Sequence, residues 1–181
     1  WSLDHPGPMA RTVADAALLF QPMAGADAAD PSSSAQPVPD YASALSSDIR
    51  GLRVGVPREY FFDGADPSVI SAVRDAVAVM EQLGAEIHEV ELPWSAFSSS
   101  ASWAIAYIES FAIHRARFFA RARDYTPAFL HKVAGAACLS AEEHLTAERV
   151  RERVSAEFNQ ALQVADVLVM PTTAYTAHPV T

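Results

Sequence analysis

The sequence contains very little cysteine and lysine, and both shortages exclude classes of protein. Among 181 residues there is one cysteine, Cys138, and one lysine, Lys132. A single cysteine cannot form a disulfide within the chain, so nothing indicates an oxidising compartment, and we expect a cytoplasmic protein. The net charge of −9 argues against direct binding to a nucleic-acid backbone, which requires clustered lysine and arginine.

Several motifs that carry chemistry are also absent. The chain has no Gly-Gly pair, no Gly-x-Ser-x-Gly and no His-Glu-x-x-His. Its six histidines lack metal-ligand spacing, so we expect no metal and no other cofactor. Cys138 could be a nucleophile, but its alanine-rich neighbourhood favours a small buried thiol. The serines at 98–100 could supply a nucleophile, although a helix cap and loop is the more usual role of such a run.

No apolar run reaches the roughly 18 residues that a membrane span requires, so no membrane contact is expected. Half of the residues are nevertheless apolar, and the mean hydropathy is +0.07. This excess indicates either a well-filled core or surface that packs against another part of a larger chain. Because the sequence opens on Trp1 rather than methionine, we expect it to be part of a longer protein.

The clearest structural pattern is a βαβ unit at about residues 52–92. Alternating Leu52, Val54 and Val56 predict a strand that ends at Pro57. Asp66 followed by proline predicts a helix start, and Gly84 predicts its end. A second strand at 85–92 should then lie parallel to the first.

The remaining patterns predict mostly helices. We expect helices at about 13–23, 95–123, 128–137 and 140–163, the last with a Ser-x-x-Glu capping box. The proline-rich and serine-rich segment 27–41 predicts a surface loop. The apolar run 166–170 predicts a central strand buried on both faces. Together these elements predict an α/β fold with a mainly parallel sheet and flanking helices.

Two charged groups could take part in a site. Arg58 and Glu59 follow the first predicted strand, at the end where open α/β sheets bind ligands, but an exposed ion pair above core aromatics explains them more simply. The arginines at 149, 151 and 153 alternate with glutamates on the last helix. That alternation predicts a solvated face rather than an anion site.

Five segments, in order, resemble the amidase-signature family, especially the members close to the glutaminase subunit of the glutamyl-tRNA amidotransferase. They are SLDHPGPMARTVADAA at 2–17, GLRVGVPREYF at 51–61, LGAEI at 83–87, ACLSA at 137–141 and ADVLVMPTT at 165–173. The resemblance covers nearly the whole chain. It implies an amidase-signature fold, of which residues 1–181 form a partial domain downstream of the catalytic region.

The resemblance also implies where the chemistry lies. The family cleaves carboxylic amides to an acid and ammonia or an amine, using a Ser-Ser-Lys triad that precedes the segment matching 2–17. Lys132 does not lie in the context of the family's lysine, so we expect no catalytic residue in this chain. The segments matching Trp103, Tyr107 and His131 lie near the substrate in the amidotransferase subunit, so the resemblance implies that these three bind substrate. Core packing explains Trp103 and Tyr107 equally well.

Three functions therefore remain open for the protein that contains this chain. The first is an amidase acting on a small-molecule amide, with this chain packed against the missing N-terminal half of the same domain. The second is the glutaminase subunit of a tRNA-dependent amidotransferase. The loss of that subunit's Lys-Arg-Arg pattern near His131 argues against it, because a bidentate arginine grips a carboxylate best. The third is a non-catalytic structural relative.

Overall fold

The computed structural model describes residues 2–45 and 48–180, and the chain divides into two compact units, residues 1–47 and 48–181. Over residues 2–45, the first unit contains one helix, α1 (Val13–Phe20). Its N-terminus is capped by Thr12, whose hydroxyl accepts a hydrogen bond from the Asp15 backbone N–H at 3.0 Å. The helix exposes large apolar side chains, including Val13 and Leu18, and buries none of its residues.

Helix α1 ends at Phe20, before the predicted end at Met23, because Pro22 has no backbone N–H to continue the helical hydrogen bonds. Gln21 donates its side-chain N–H to the Pro39 carbonyl at 3.0 Å and accepts from the Tyr41 backbone N–H at 2.9 Å. The segment 27–41 contains no named helix or strand, as its composition predicts. Its end is held by the Phe20 and Tyr41 rings, whose centroids lie 4.9 Å apart.

The second unit is built on a parallel three-stranded sheet, and it confirms the predicted βαβ unit. Strand β1 (Arg53–Pro57) leads through helix α2 (Pro67–Gln82) to strand β2 (Glu86–Val90). The short strand β3 (Val167–Leu168) pairs with the other side of β1, so the order is β2-β1-β3. All of these pairings are parallel.

Local signals account for this unit. The Asp66 carboxylate accepts from the Ser68 backbone N–H at 2.8 Å and starts α2 at Pro67. Gly84 has a φ of 95°, which a glycine adopts without strain, and it turns the chain from α2 into β2. Gly55 in β1 serves another purpose, since a Cβ there would lie 2.6 Å from a methyl carbon of Leu168.

The prediction of a central strand at 166–170 is wrong for the described residues. Strand β3 has two residues, lies at the edge of the sheet and leaves Val167 38% exposed. Strand β1 is the central one, with Val54 fully buried. An apolar run alone does not reveal how many partners a strand finds.

Helices make up the rest of the second unit. After a 3₁₀ turn (Pro93–Phe97) comes the long helix α3 (Ser98–Ala120). A second 3₁₀ turn (Ala122–Asp124) leads to α4 (Pro127–Ala136), and then to α5 (Ala141–Val164). Helix α3 packs against both α4 and α5. None of the helices in the described ranges is long and apolar enough to cross a membrane.

The capping box of α5 forms as predicted, and the core lies between α5 and the sheet. The Ser140 hydroxyl accepts from the Glu143 backbone N–H at 3.2 Å, and the Glu143 carboxylate accepts from the Ser140 N–H at 2.7 Å. The core cluster joins Val90 and Leu92 to Ala161, with the partly buried ring of Phe158 against it. These contacts fix α5 relative to the sheet.

Candidate functional site

Helix α3 presents Trp103 and Tyr107 on a face that differs from its core face. The two residues are four apart, which places them on adjacent turns of one side of the helix. Their ring centroids lie 5.1 Å apart with the planes tilted by 39°. The buried residues of α3 are Ala101 and Ile105, two positions away, so helical geometry directs them elsewhere. Trp103 is 52% exposed and is therefore not a core aromatic in this structure.

Helix α4 brings Lys132 to this pair and leaves the predicted His131 apart. The Lys132 ammonium lies 5.9 Å from the centre of the Trp103 ring, within the range of a cation–π contact. The His131 side chain is exposed and, among the residues that the structure describes, makes no hydrogen bond, ion pair or ring contact. The structure thus joins Trp103, Tyr107 and Lys132, which we call the aromatic pair and its lysine, without His131.

An aromatic cluster holds α4 beside α3. The His114 ring nitrogen Nδ1 lies 3.1 Å from the Tyr125 hydroxyl, and the Tyr125 ring stacks on Phe129 at 5.4 Å with planes 9° apart. His114 also meets Phe129 edge to face. The cluster spans the break between the helices at 121–126, so it fixes the place where Lys132 stands. The sequence predicts the break between the helices but not the cluster, because the cluster's members are spread along two helices and the turn between them with no local motif.

Arg58 and Glu59 do not pair with each other, so the predicted ion pair between them is wrong. The Arg58 guanidinium donates to Glu89 on β2, with Nε 2.9 Å from the carboxylate oxygen, and lies 3.7 Å from Glu91. Glu59 turns inward and accepts from the Leu92 backbone N–H at 3.3 Å. Glu89 raises the pKa of Arg58 above its usual value through hydrogen bonding and charge.

A cavity of about 380 Å³ lies where the chain leaves the sheet near β1 and β3. Tyr60 lines it with a left-handed φ of 65°, stabilised by a hydrogen bond from its N–H to the Asp63 carboxylate at 2.9 Å. Such a conformation is costly for a residue with a large side chain. Thr172 and Ser98 line the same cavity. The sequence gives no signal for Tyr60, since glycine or asparagine is usual in this conformation.

The structure favours a cap or turn role for Ser98 over that of a nucleophile. It also shows that the prediction of a buried Cys138 is wrong. The Ser98 hydroxyl donates to the Ser95 carbonyl at 2.6 Å, which is the role of a turn residue. Cys138 is exposed rather than buried, because it lies in the turn between α4 and α5 and its side chain faces solvent. Over residues 2–45 and 48–180, no group of three histidine, cysteine or carboxylate side chains could hold a metal ion.

Comparison with known proteins defines the class of this α/β chain. A family model described as Amidase matches residues 1–181. The chain belongs to the amidase family, as the five sequence segments predicted.

Two curated relatives and one solved structure illustrate the match. The chain is 43% identical over 172 residues to an amidase of Pseudomonas putida, covering 95% of this chain and 37% of that protein. It is 38% identical over 203 residues to a glutamyl-tRNA(Gln) amidotransferase subunit of Roseiflexus sp. (strain RS-1), covering 99% and 42%. A chain from a vestigial protein complex that reveals the evolutionary origins of an s-triazine catabolic enzyme superposes with a TM-score of 0.85 at 29% identity, covering 96% and 37%. The chain therefore spans about two fifths of the length of these relatives.

Proposed function

We propose that this chain is the substrate-facing part of an amidase that hydrolyses a small-molecule carboxylic amide to an acid and ammonia or an amine. The observation that carries the proposal is the aromatic pair and its lysine, with Trp103 exposed and Tyr107 partly buried, in a chain of the amidase family. Exposed aromatic rings offer a flat apolar surface for a bulky or aromatic acyl group. Trp103 and Tyr107 form this surface in our proposal, with His131 at its margin.

The proposal assigns bond cleavage to another part of the same domain. The family resemblance implies that the two serines and the lysine of the triad precede the segment 2–17. The described residues are consistent with this division, because Lys132 contacts Trp103 and Ser98 bonds to a backbone carbonyl. The partner of this chain is then the N-terminal half of the domain. We propose no direct contact with nucleic acid or a membrane, and a cytoplasmic location.

The second candidate is the glutaminase subunit of a tRNA-dependent amidotransferase, favoured by the 38% identity to the amidotransferase subunit of Roseiflexus. Glutamine carries a carboxylate and an ammonium group, and its recognition favours a bidentate arginine. Lys132 stands beside Trp103 instead, and the exposed His131 precedes it on the same helix. An amide with a less charged acyl group suits this surface better. A non-catalytic relative is the third candidate, and a parent without the two serines or the lysine would establish it.

The test compares amide substrates in the protein that carries the whole domain. Trp103→Ala should raise KM for an aryl-acyl amide roughly tenfold and leave kcat little changed, because it removes a binding surface and no reacting group. Trp94→Ala is the matched control, since Trp94 is also partly exposed but packs against Phe97.

The substrate panel includes glutamine. A strong preference of the unmodified protein for glutamine would establish the amidotransferase function instead. Equal effects of the two tryptophan variants on KM would show that Trp103 does not contact substrate.

A further inference from the structure

A separate cavity of about 280 Å³ lies at the carboxyl end of β1, on the side of α2. Its apolar floor consists of Val56, Pro57 and Val77. Phe62 and two arginines, Arg58 and Arg74, form the rim together with Glu89. Ligands of open α/β sheets bind outside the carboxyl ends of the strands, so this is a position where binding is expected.

The two arginines at the rim differ in their charge partners. Glu89 is neutralised by Arg58, whose Nε lies 2.9 Å from its carboxylate. Arg74 faces the Phe62 ring, with the guanidinium carbon 6.0 Å from the ring centre. Within the part of the chain that the structure describes, no carboxylate lies within ion-pair distance of Arg74. One guanidinium at the rim is therefore available to an anion.

The shape and the lining narrow the class of ligand. A guanidinium fork matches a carboxylate, to which it can donate two parallel hydrogen bonds. The aliphatic floor and the Phe62 ring favour an apolar body attached to that carboxylate. The volume lies just below the range of drug-sized ligand cavities, which run from about 300 to 1,000 Å³, so the ligand must be small.

We propose that this cavity binds a small carboxylate with an apolar body, of about the size of benzoate, through Arg74 and Phe62. The site is distinct from the aromatic pair on α3 and does not rest on the proposed amidase activity. The competing interpretation is structural, in which Arg74 and Phe62 only fasten the loop after β1 onto α2. Substitution of Arg74 affects ligand binding in the first case and not in the second.

The experiment observes benzoate by saturation-transfer difference NMR, which detects weak binding with the protein in large deficit. Benzyl alcohol is the neutral probe of similar shape, and inorganic phosphate is the competing anion. We expect saturable benzoate binding that is at least about tenfold tighter than binding of benzyl alcohol, since a charged hydrogen-bonded pair is lost in the alcohol. Phosphate at equal concentration should not displace benzoate, because it makes no use of the apolar floor.

Four variants separate the interpretations. Arg74→Gln should weaken benzoate binding about tenfold or more, and Arg74→Lys should have a smaller effect because it keeps the charge and loses the fork. Arg115→Gln, an exposed arginine on α3, and Trp103→Leu should leave binding unchanged. Each of four outcomes would overturn the proposal. They are equal benzoate binding to the Arg74→Gln and Arg115→Gln variants, loss of benzoate binding with Trp103→Leu, displacement of benzoate by phosphate, and absence of saturable benzoate binding.

Discussion

Arg53 and Asp166 are the side chains that bind β3 to β1 by charge as well as by backbone pairing. The Asp166 carboxylate accepts from the Arg53 backbone N–H at 2.9 Å and from its guanidinium at 2.6 Å. These hydrogen bonds, more than the charge of Arg53, lower the pKa of Asp166 from 3.8 to about 2. The ionised form is therefore favoured in the folded state.

This shift predicts how the stability of the fold depends on pH. A carboxylate with a lowered folded-state pKa contributes stability that is fully present above its ordinary value of 3.8 and is lost as pH falls through about 2. We expect Asp166→Asn to lower the free energy of unfolding at pH 7. The difference from the unmodified chain should shrink between pH 4 and pH 2, as measured by urea unfolding at each pH.

Glu81→Gln provides the control for this measurement, because it removes an exposed carboxylate from α2. The control should show no comparable loss of stability at pH 7. If the Asp166→Asn difference were constant from pH 7 to pH 2, the ion pair would not be the cause.

At the level of single elements, the capping box of α5 can be tested directly. Ser140→Ala removes the hydroxyl that accepts from the Glu143 N–H, and loss of such a cap costs about 1 kcal/mol. Urea unfolding should show this decrease. Ser155→Ala is the matched control on the exposed side of the same helix, and there alanine should be neutral or slightly stabilising.

Strand β1 tolerates no side chain at Gly55, and α4 offers a glycine for comparison. Besides the 2.6 Å approach to Leu168, a Cβ at Gly55 would lie 3.0 Å from the Ala165 Cβ. Gly55→Ala should destabilise the second unit by about 1–3 kcal/mol through overpacking. Gly135→Ala meets no atom within 4 Å and lies in the helix, so it should stabilise by up to about 1 kcal/mol. Thermal unfolding measures both variants. Equal changes in Tm for Gly55→Ala and Gly135→Ala would contradict the overpacking at Gly55.

The elements themselves were largely predictable from the sequence because their ends carry local chemistry. Asp66-Pro67 starts α2, Gly84 ends it, and Ser140 with Glu143 starts α5, each through hydrogen bonds within a few residues. Whether β3 is a central or an edge strand of the sheet was not predictable. It depends on how many strands pair with it, and pairing is a property of distant segments.

At the scale of the whole molecule, we expect the isolated 181-residue chain to hydrolyse no amide above background. We also expect it to bind an apolar fluorescent dye, because α1 leaves Leu18 60% exposed and Leu19 51% exposed. Dye fluorescence should fall when the rest of the domain is supplied on the same chain. Amide turnover by the purified chain alone would contradict the proposed division between binding and cleavage. Absence of excess dye binding would contradict the exposure of the apolar side chains of α1.

The candidate site was only partly predictable, for reasons that belong to this scale. The family resemblance pointed to Trp103 and Tyr107, and helical spacing places them together. It did not predict that Lys132 rather than His131 would reach Trp103, because that choice depends on how α4 is turned by the cluster of His114, Tyr125 and Phe129. The cavity at Arg74 likewise joins a loop, a helix and a neighbouring strand.

The pairing of β1 with β3 also has a consequence for synthesis. Arg53 and Asp166 are 113 positions apart along the chain, whereas β1 and β2 are separated by a single helix. On the ribosome the βαβ unit can therefore pair early, while the other side of β1 stays unpaired until β3 (Val167–Leu168) has emerged. Contacts between such distant segments slow folding. The unpaired edge of β1 is therefore where a chaperone or a non-native strand would have time to bind.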